Sequence, residues 1–143
     1  MMMTNATRGT TCVYCLNFHV VFCTKYRYKV FETDALRAEM KKIFLDIAKE
    51  AEVKIKTQEV MSDHVHMIIS FHPKHSISDI VKKIKGSSAK IFNNRHRDLN
   101  RRIYRGEGVL WSPGYYVGSL GDMSKATVEK YIANQYKEPN KSN

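Results

Sequence analysis

Residues 64 to 71, read as His-Val-His-Met-Ile-Ile-Ser-Phe, constrain the fold more than any other stretch. The apolar side chains of Val65, Met67, Ile69 and Phe71 occupy alternate positions there. A period of two is the signature of a β-strand with one face in a core. That apolar set belongs against helices, and His64, His66, Ile68 and Ser70 then share the opposite face.

The flanking segments supply what such a strand needs. The stretch from Cys12 to Val30 is rich in aromatic and β-branched residues, and Tyr14, Leu16, Phe18, Val20 and Phe22 alternate onto one face, which predicts a first strand. Leu36, Met40, Ile43, Phe44, Ile47 and Ala51 follow at helical spacing, with Thr33 or Asp34 available as an N-cap. Residues 53 to 61 alternate again and run through the turn-prone Ser62-Asp63 into the histidine strand, as a hairpin would. A second helix is predicted from Ser76 or Ser78, with Ile80, Val81, Ile84 and Ile91 inward, although Gly86-Ser87-Ser88 weakens helix propensity in its middle. Asn93 to Gly108 reads as a basic loop. The segment from Val109 to Gly121 reads as extended, broken at Pro113-Gly114, with a strand over residues 115 to 120. A last helix is expected from Lys125 to about Lys137, capped by Ser124 and ending before Pro139. The order β-α-β-β-α-β plus a C-terminal helix predicts an α+β protein of ferredoxin-like (RRM-like) architecture: an antiparallel sheet with helices on one face. Many functions use that fold, so it argues for none of them.

With 143 residues, 43% hydrophobic and 27% charged, the chain is expected to be one soluble domain spanning 1–143, with tails over 1–11 and 138–143. No run reaches the roughly 20 apolar residues of a membrane span, and the first residues lack the pattern of a signal peptide, so a cytoplasmic location is expected. Cys12, Cys15 and Cys23 are an odd number without a second Cys pair, which suits small apolar strand residues better than a disulfide or zinc site. The formal net charge is +10, and Lys74 to Arg105 holds ten basic residues against two acidic ones. Such a field fits either a solvated face or a polyanion such as a nucleic-acid backbone.

His64 and His66 lie about 7 Å apart along one strand face, near enough to converge on one ion. A His-x-His pair on a strand is also compatible with a surface pair, so a third group is needed to decide. Tyr131 and Gln135 in the last helix are four residues apart and share a face, with Val128 beside them. A phenol and an amide oxygen would meet the histidines if that helix covers their side of the sheet. Ordinary packing accounts for the same spacing.

The combination of "HVHMIISFHP", "FHVVFCTKYR", "KKIKGSSAKIF", "LWSPGYYVGSLG" and "VEKYIANQ" resembles the single-tyrosine HUH transposases of small bacterial insertion sequences and of REP-associated elements. The resemblance runs from about Cys12 to Gln135, with the motifs in the same order. It implies His64 and His66 as ligands of a divalent ion, Mg²⁺ or Mn²⁺, with Gln135 as third ligand and Tyr131 as nucleophile. An acidic residue often found in the last motif is replaced here by Ala133. The resemblance also implies single-stranded DNA with hairpin ends as substrate, a covalent 5′-phosphotyrosine, and a homodimer whose active sites are shared between subunits. Candidate DNA contacts are Lys25, Arg27, Lys82, Lys85, Ser87, Ser88, Lys90 and Arg95, with Tyr104 and Trp111 for stacking; Ser87 and Ser88 fit a packing contact equally well. Two other readings stay open: a non-catalytic nucleic-acid-binding module of the same fold, and a metal-dependent nuclease that uses the histidines without the tyrosine.

Overall fold

The structure, a computed structural model, describes residues 7–8, 13–14, 17–119 and 125–134. Along the chain run β1 (Thr7–Arg8), β2 (Val13–Tyr14), β3 (Asn17–Cys23), a 3-10 turn (Lys25–Arg27), α1 (Asp34–Ala51), β4 (Val53–Val60), β5 (His64–Phe71), α2 (Ile77–Arg95), α3 (Arg97–Tyr104), β6 (Tyr116–Ser119) and α4 (Lys125–Asn134). The main sheet is four-stranded, in the order β4-β5-β3-β6, with every neighbouring pair antiparallel. This is the expected α+β, ferredoxin-like sheet.

Face assignment follows the alternation. Val65, Met67, Ile69 and Phe71 are at most 3% exposed, and they pack with Val20 and Phe22 of β3 against Met40, Ile43, Phe44 and Ile47 of α1 and Ile80, Val81, Ile84 and Phe92 of α2. Burying aromatic and aliphatic side chains of this size contributes about 1.5–3 kcal/mol each. Both helices start where a hydroxyl caps them: Thr33 accepts from Leu36 N and Ser76 accepts from Asp79 N. α2 continues through Gly86-Ser87-Ser88 because Ser88 is a packing residue. It is fully buried, and its Oγ accepts a 2.9 Å hydrogen bond from Trp111 Nε1. Trp111 in turn meets Phe22 edge to face at 4.8 Å.

Three expectations change. The first strand divides: Val13–Tyr14 pairs with Thr7–Arg8 in a separate ribbon, and only Asn17–Cys23 enters the main sheet. The predicted basic loop contains α3, held by Tyr104 Oη donating to Lys25 O and by Asn100 Nδ2 donating to Val109 O. Tyr104 and Trp111, expected to stack on bases, are 5% and 8% exposed and belong to the core. Ser124 and residues beyond Asn134 lie outside the described residues. Among the described residues, no helix is long and apolar enough to cross a membrane.

Candidate active site

Register places the polar groups of the second sheet face. Cys23 is paired with His64, Val21 with His66, and Val21 also with Tyr116, so these side chains share the face away from α1 and α2. Val21 and Cys23 are nonetheless wholly buried. The cover is α4, whose Tyr131 ring lies 6.1 Å from that of Tyr116 and whose Ile132 carbonyl accepts a 3.1 Å hydrogen bond from Arg27 Nη1. The helix carrying Tyr131 thus docks on the histidine side of the sheet.

The two imidazoles are held by different neighbours. Their ring centroids are 5.0 Å apart. His64 Nδ1 lies 2.8 Å from Asp63 Oδ1, so the carboxylate fixes the proton on Nδ1 and leaves the Nε2 lone pair for a ligand. Asp63 is itself buried and accepts from Arg27 Nε at 2.9 Å through its other oxygen. Burial pushes the Asp63 carboxyl up, but the hydrogen bonds from His64 and Arg27 and the charge of the guanidinium outweigh it and hold the acid below its ordinary range. His66 Nδ1 lies 3.3 Å from Nε2 of His19 on β3. Burial first, then the neighbouring His64 and His19, push the His66 imidazole down, which favours the neutral form that binds metals. His19 is pushed down by burial alone.

This arrangement fits a divalent ion. Both histidines have Nδ1 engaged by a neighbouring side chain, and a carboxylate behind a ligating imidazole is the usual outer-shell partner of such sites. Among the described residues, no group of three or more His, Cys, Asp or Glu is placed to hold a metal. Gln135, the expected third ligand, lies outside the described residues. Tyr131 Oη is buried and has no hydrogen-bond partner among the described residues. Burial, with a smaller effect from Cys23, pushes its phenol well above the ordinary range.

Residues 12–135 match the sequence profile of a family described as "Transposase IS200 like". The ISDra2 transposase TnpA of Deinococcus radiodurans is 34% identical over 129 residues, covering 90% of each chain. The chain belongs to the IS200-like transposase family. A transposase for insertion sequence element IS200 from Salmonella typhimurium is 31% identical over 121 residues, covering 85% of this chain and 77% of the relative. A crystal structure of a protein from Deinococcus radiodurans R1, described as a transposase, superposes with a TM-score of 0.82 at 33% identity, covering 92% of this chain and 99% of the other. A REP-associated tyrosine transposase solved with a REP hairpin shares the fold at a TM-score of 0.51 and 10% identity, covering 92% of this chain and 76% of that one. As a member of this family, the chain is a DNA-processing enzyme of a mobile element.

In this IS200-like transposase the candidate DNA contacts separate into two groups. Lys82 and Lys90 are exposed along α2, Lys25 and Ser87 are half-buried, and Arg95 is exposed but lies 3.4 Å from Glu39. Three others are turned inward. Ser88 serves the Trp111 contact, and Arg27 bridges Asp63 and α4. Lys85 Nζ donates to the carbonyls of Ser112, Pro113 and Gly114 at 2.7, 3.2 and 2.8 Å, tying down the chain that leads to β6. Burial pushes the Lys85 ammonium down to about 8, which still leaves it mostly charged at neutral pH.

Sequence reasoning missed two members of the site. His19 alternates with the core residues Phe18, Val20 and Phe22, so its face was legible, but its nearness to His66 depends on the β3–β5 register. Asp63 adjoins His64 in sequence and reads first as a turn residue.

Proposed function

We propose that this transposase cleaves and rejoins single-stranded DNA at the ends of its element, with Tyr131 as nucleophile and His64, His66 and Gln135 as ligands of Mg²⁺ or Mn²⁺. The observation that carries this reading is the docking of α4, with Tyr131, on the sheet face that presents the two Nδ1-anchored histidines.

A phosphodiester is anionic and resists nucleophiles. A bound divalent ion would stabilise the charge that grows on its non-bridging oxygens. Tyr131 Oη forms the new bond to phosphorus while the bond to the 3′ oxygen breaks, so the protein holds a 5′-phosphotyrosine and the 3′ oxygen leaves as a hydroxyl after taking a proton. The phosphotyrosine keeps a phosphodiester, so a second 3′-hydroxyl can displace Tyr131 and reseal a strand without ATP. An ordinary phenol with a pKa near 10 lies about 4 kcal/mol from full ionisation at pH 7. Burial in the docked position widens that gap, so attack requires cationic help from the ion or from basic side chains.

Excision takes two cuts and each chain offers one Tyr131, so a homodimer in which two active sites act together is part of this reading. Hairpin-ended DNA is the substrate class, in keeping with the hairpin held by the REP-associated transposase of the same fold. The exposed Lys82 and Lys90 are the proposed phosphate contacts, worth most at low salt.

The test incubates the protein with Mn²⁺ and labelled single-stranded DNA carrying candidate element ends. A denaturation-resistant protein–DNA adduct is expected, and Tyr131→Phe, His64→Ala and His66→Ala each abolish it. Cleavage that persists in Tyr131→Phe would refute the nucleophile.

A further inference from the structure

We infer that Arg27 is a positioning residue that sets the His64 ring and the Tyr131 helix together, an inference that rests on the function proposed above. One guanidinium reaches both partners. Nε donates to Asp63 Oδ2 at 2.9 Å, and Nη1 donates to the carbonyl of Ile132, the residue after Tyr131, at 3.1 Å. The other oxygen of Asp63 takes Nδ1 of His64 at 2.8 Å. An unbroken chain of four groups therefore runs from a metal-ligand ring to the backbone beside the nucleophile.

The backbone around Arg27 is built to aim it. Tyr26 and Arg27 both have positive φ, 62° and 54°, in a 3-10 turn without glycine. Consecutive left-handed residues with full side chains persist only where their surroundings over-determine them, and such residues gather at functional sites. The surroundings here do so. Thr24 is fully buried, its N–H donates to Asp63 O at 2.9 Å, and its Oγ1 donates to Tyr28 O at 2.6 Å. Lys25 N donates to Leu110 O, and Lys25 O accepts from Tyr104 Oη, each at 2.9 Å. The turn and Asp63 are thereby fastened to one another through the main chain as well as through the ion pair. A side chain meant only for DNA needs neither the strained turn nor two internal acceptors.

The planar fork of arginine is what lets one side chain hold two acceptors in fixed directions, and lysine cannot reproduce it. Arg27→Lys keeps a cation beside Asp63, so it separates geometry from charge, and Asp63→Asn breaks the same chain at the next group. Four quantities are measured on the full-length protein: Mn²⁺ affinity by calorimetry, α4 amide exchange by mass spectrometry, the His64 Nδ1 proton by long-range ¹H–¹⁵N spectra, and single-stranded DNA affinity without metal. Arg27→Lys is expected to weaken Mn²⁺ binding about tenfold or more, as loss of an outer-shell partner does. It should also speed α4 exchange at least tenfold while changing metal-free DNA affinity less than twofold. Adding Asp63→Asn should bring little further loss of Mn²⁺ affinity, because both changes break one chain. Wild-type Mn²⁺ affinity and α4 exchange in Arg27→Lys, with weakened DNA binding, would make Arg27 a DNA contact and overturn the inference. Failure of the wild type to form an adduct would overturn the proposed function instead, since α4 exchange and the His64 signal need neither DNA nor metal and still decide the Arg27 link.

Discussion

Tyr131→Phe should abolish the covalent adduct and at the same time stabilise the fold. Tyr131 Oη is buried with no partner among the described residues, and a buried hydroxyl in that state costs about 1–3 kcal/mol. Phenylalanine keeps the ring and its 6.1 Å approach to Tyr116, so the packing of α4 on the sheet survives while the polar cost disappears. Taking the lower end, because Tyr131 is only half-buried and lies outside the main core, the expected gain is about 1 kcal/mol. For a domain of this length that corresponds to a rise of roughly 3–5 °C in Tm. Tyr104→Phe is the internal control. Its hydroxyl donates to Lys25 O at 2.9 Å, so the same substitution there removes a satisfied bond and should cost about 1 kcal/mol. Urea titration and calorimetry on both variants compare the signs directly. Equal destabilisation by the two substitutions would show that the Tyr131 phenol is hydrogen-bonded in the folded protein, and the argument from an unpartnered buried hydroxyl would fail.

Three further outcomes test other parts of the structure. Lys85→Met removes the donor shared by the Ser112, Pro113 and Gly114 carbonyls and should cost about 1–3 kcal/mol in urea unfolding, with single-stranded DNA affinity unchanged; a selective loss of DNA affinity would restore Lys85 to the DNA surface. His19→Phe keeps a ring beside His66 but removes its nitrogen partner, so Mn²⁺ affinity by calorimetry should fall about tenfold, and an unchanged affinity would remove His19 from the site. Burial pushes the Cys23 thiol up to about 12 from an ordinary value of 9.0, so its contribution is fully present below pH 9 and is lost as pH rises toward the folded value. Cys23→Ala should therefore flatten the alkaline fall in stability between pH 9 and 10 by up to about 1.4 kcal/mol per pH unit, and an identical slope in the variant would place the titration elsewhere.

What was legible in the sequence was whatever one segment encodes by itself. Alternation in residues 64–71 named both faces of β5 without reference to a partner strand, and Ser76 and Ser78 bracketed the start of α2, which Ser76 caps, because a cap is a local hydrogen bond. α3 was not legible: it offers only Leu99, Ile103 and Tyr104 to the core amid exposed Arg97, Arg101 and Arg102, and what holds it is tertiary, namely Tyr104 on the Lys25 carbonyl and Asn100 on the Val109 carbonyl. The same division runs through the site. His64 and His66 could be paired by counting along one strand, whereas Arg27 and Asp63 stand 36 positions apart and His19 and His66 stand 47 apart. A basic residue after a strand reads as a DNA contact until its partners are known. Arg27, Lys85 and Ser88 show the same limit of residue type: each suits phosphates, and each has acceptors or donors inside the protein. Charge composition marks a basic region without saying which members face inward, because exposure depends on long-range packing that no local pattern encodes. Of the candidate contacts on α2, Lys82, Lys90 and Arg95 are exposed, while Lys85 ties down the chain that leads to β6 and Arg27 joins Asp63 to α4.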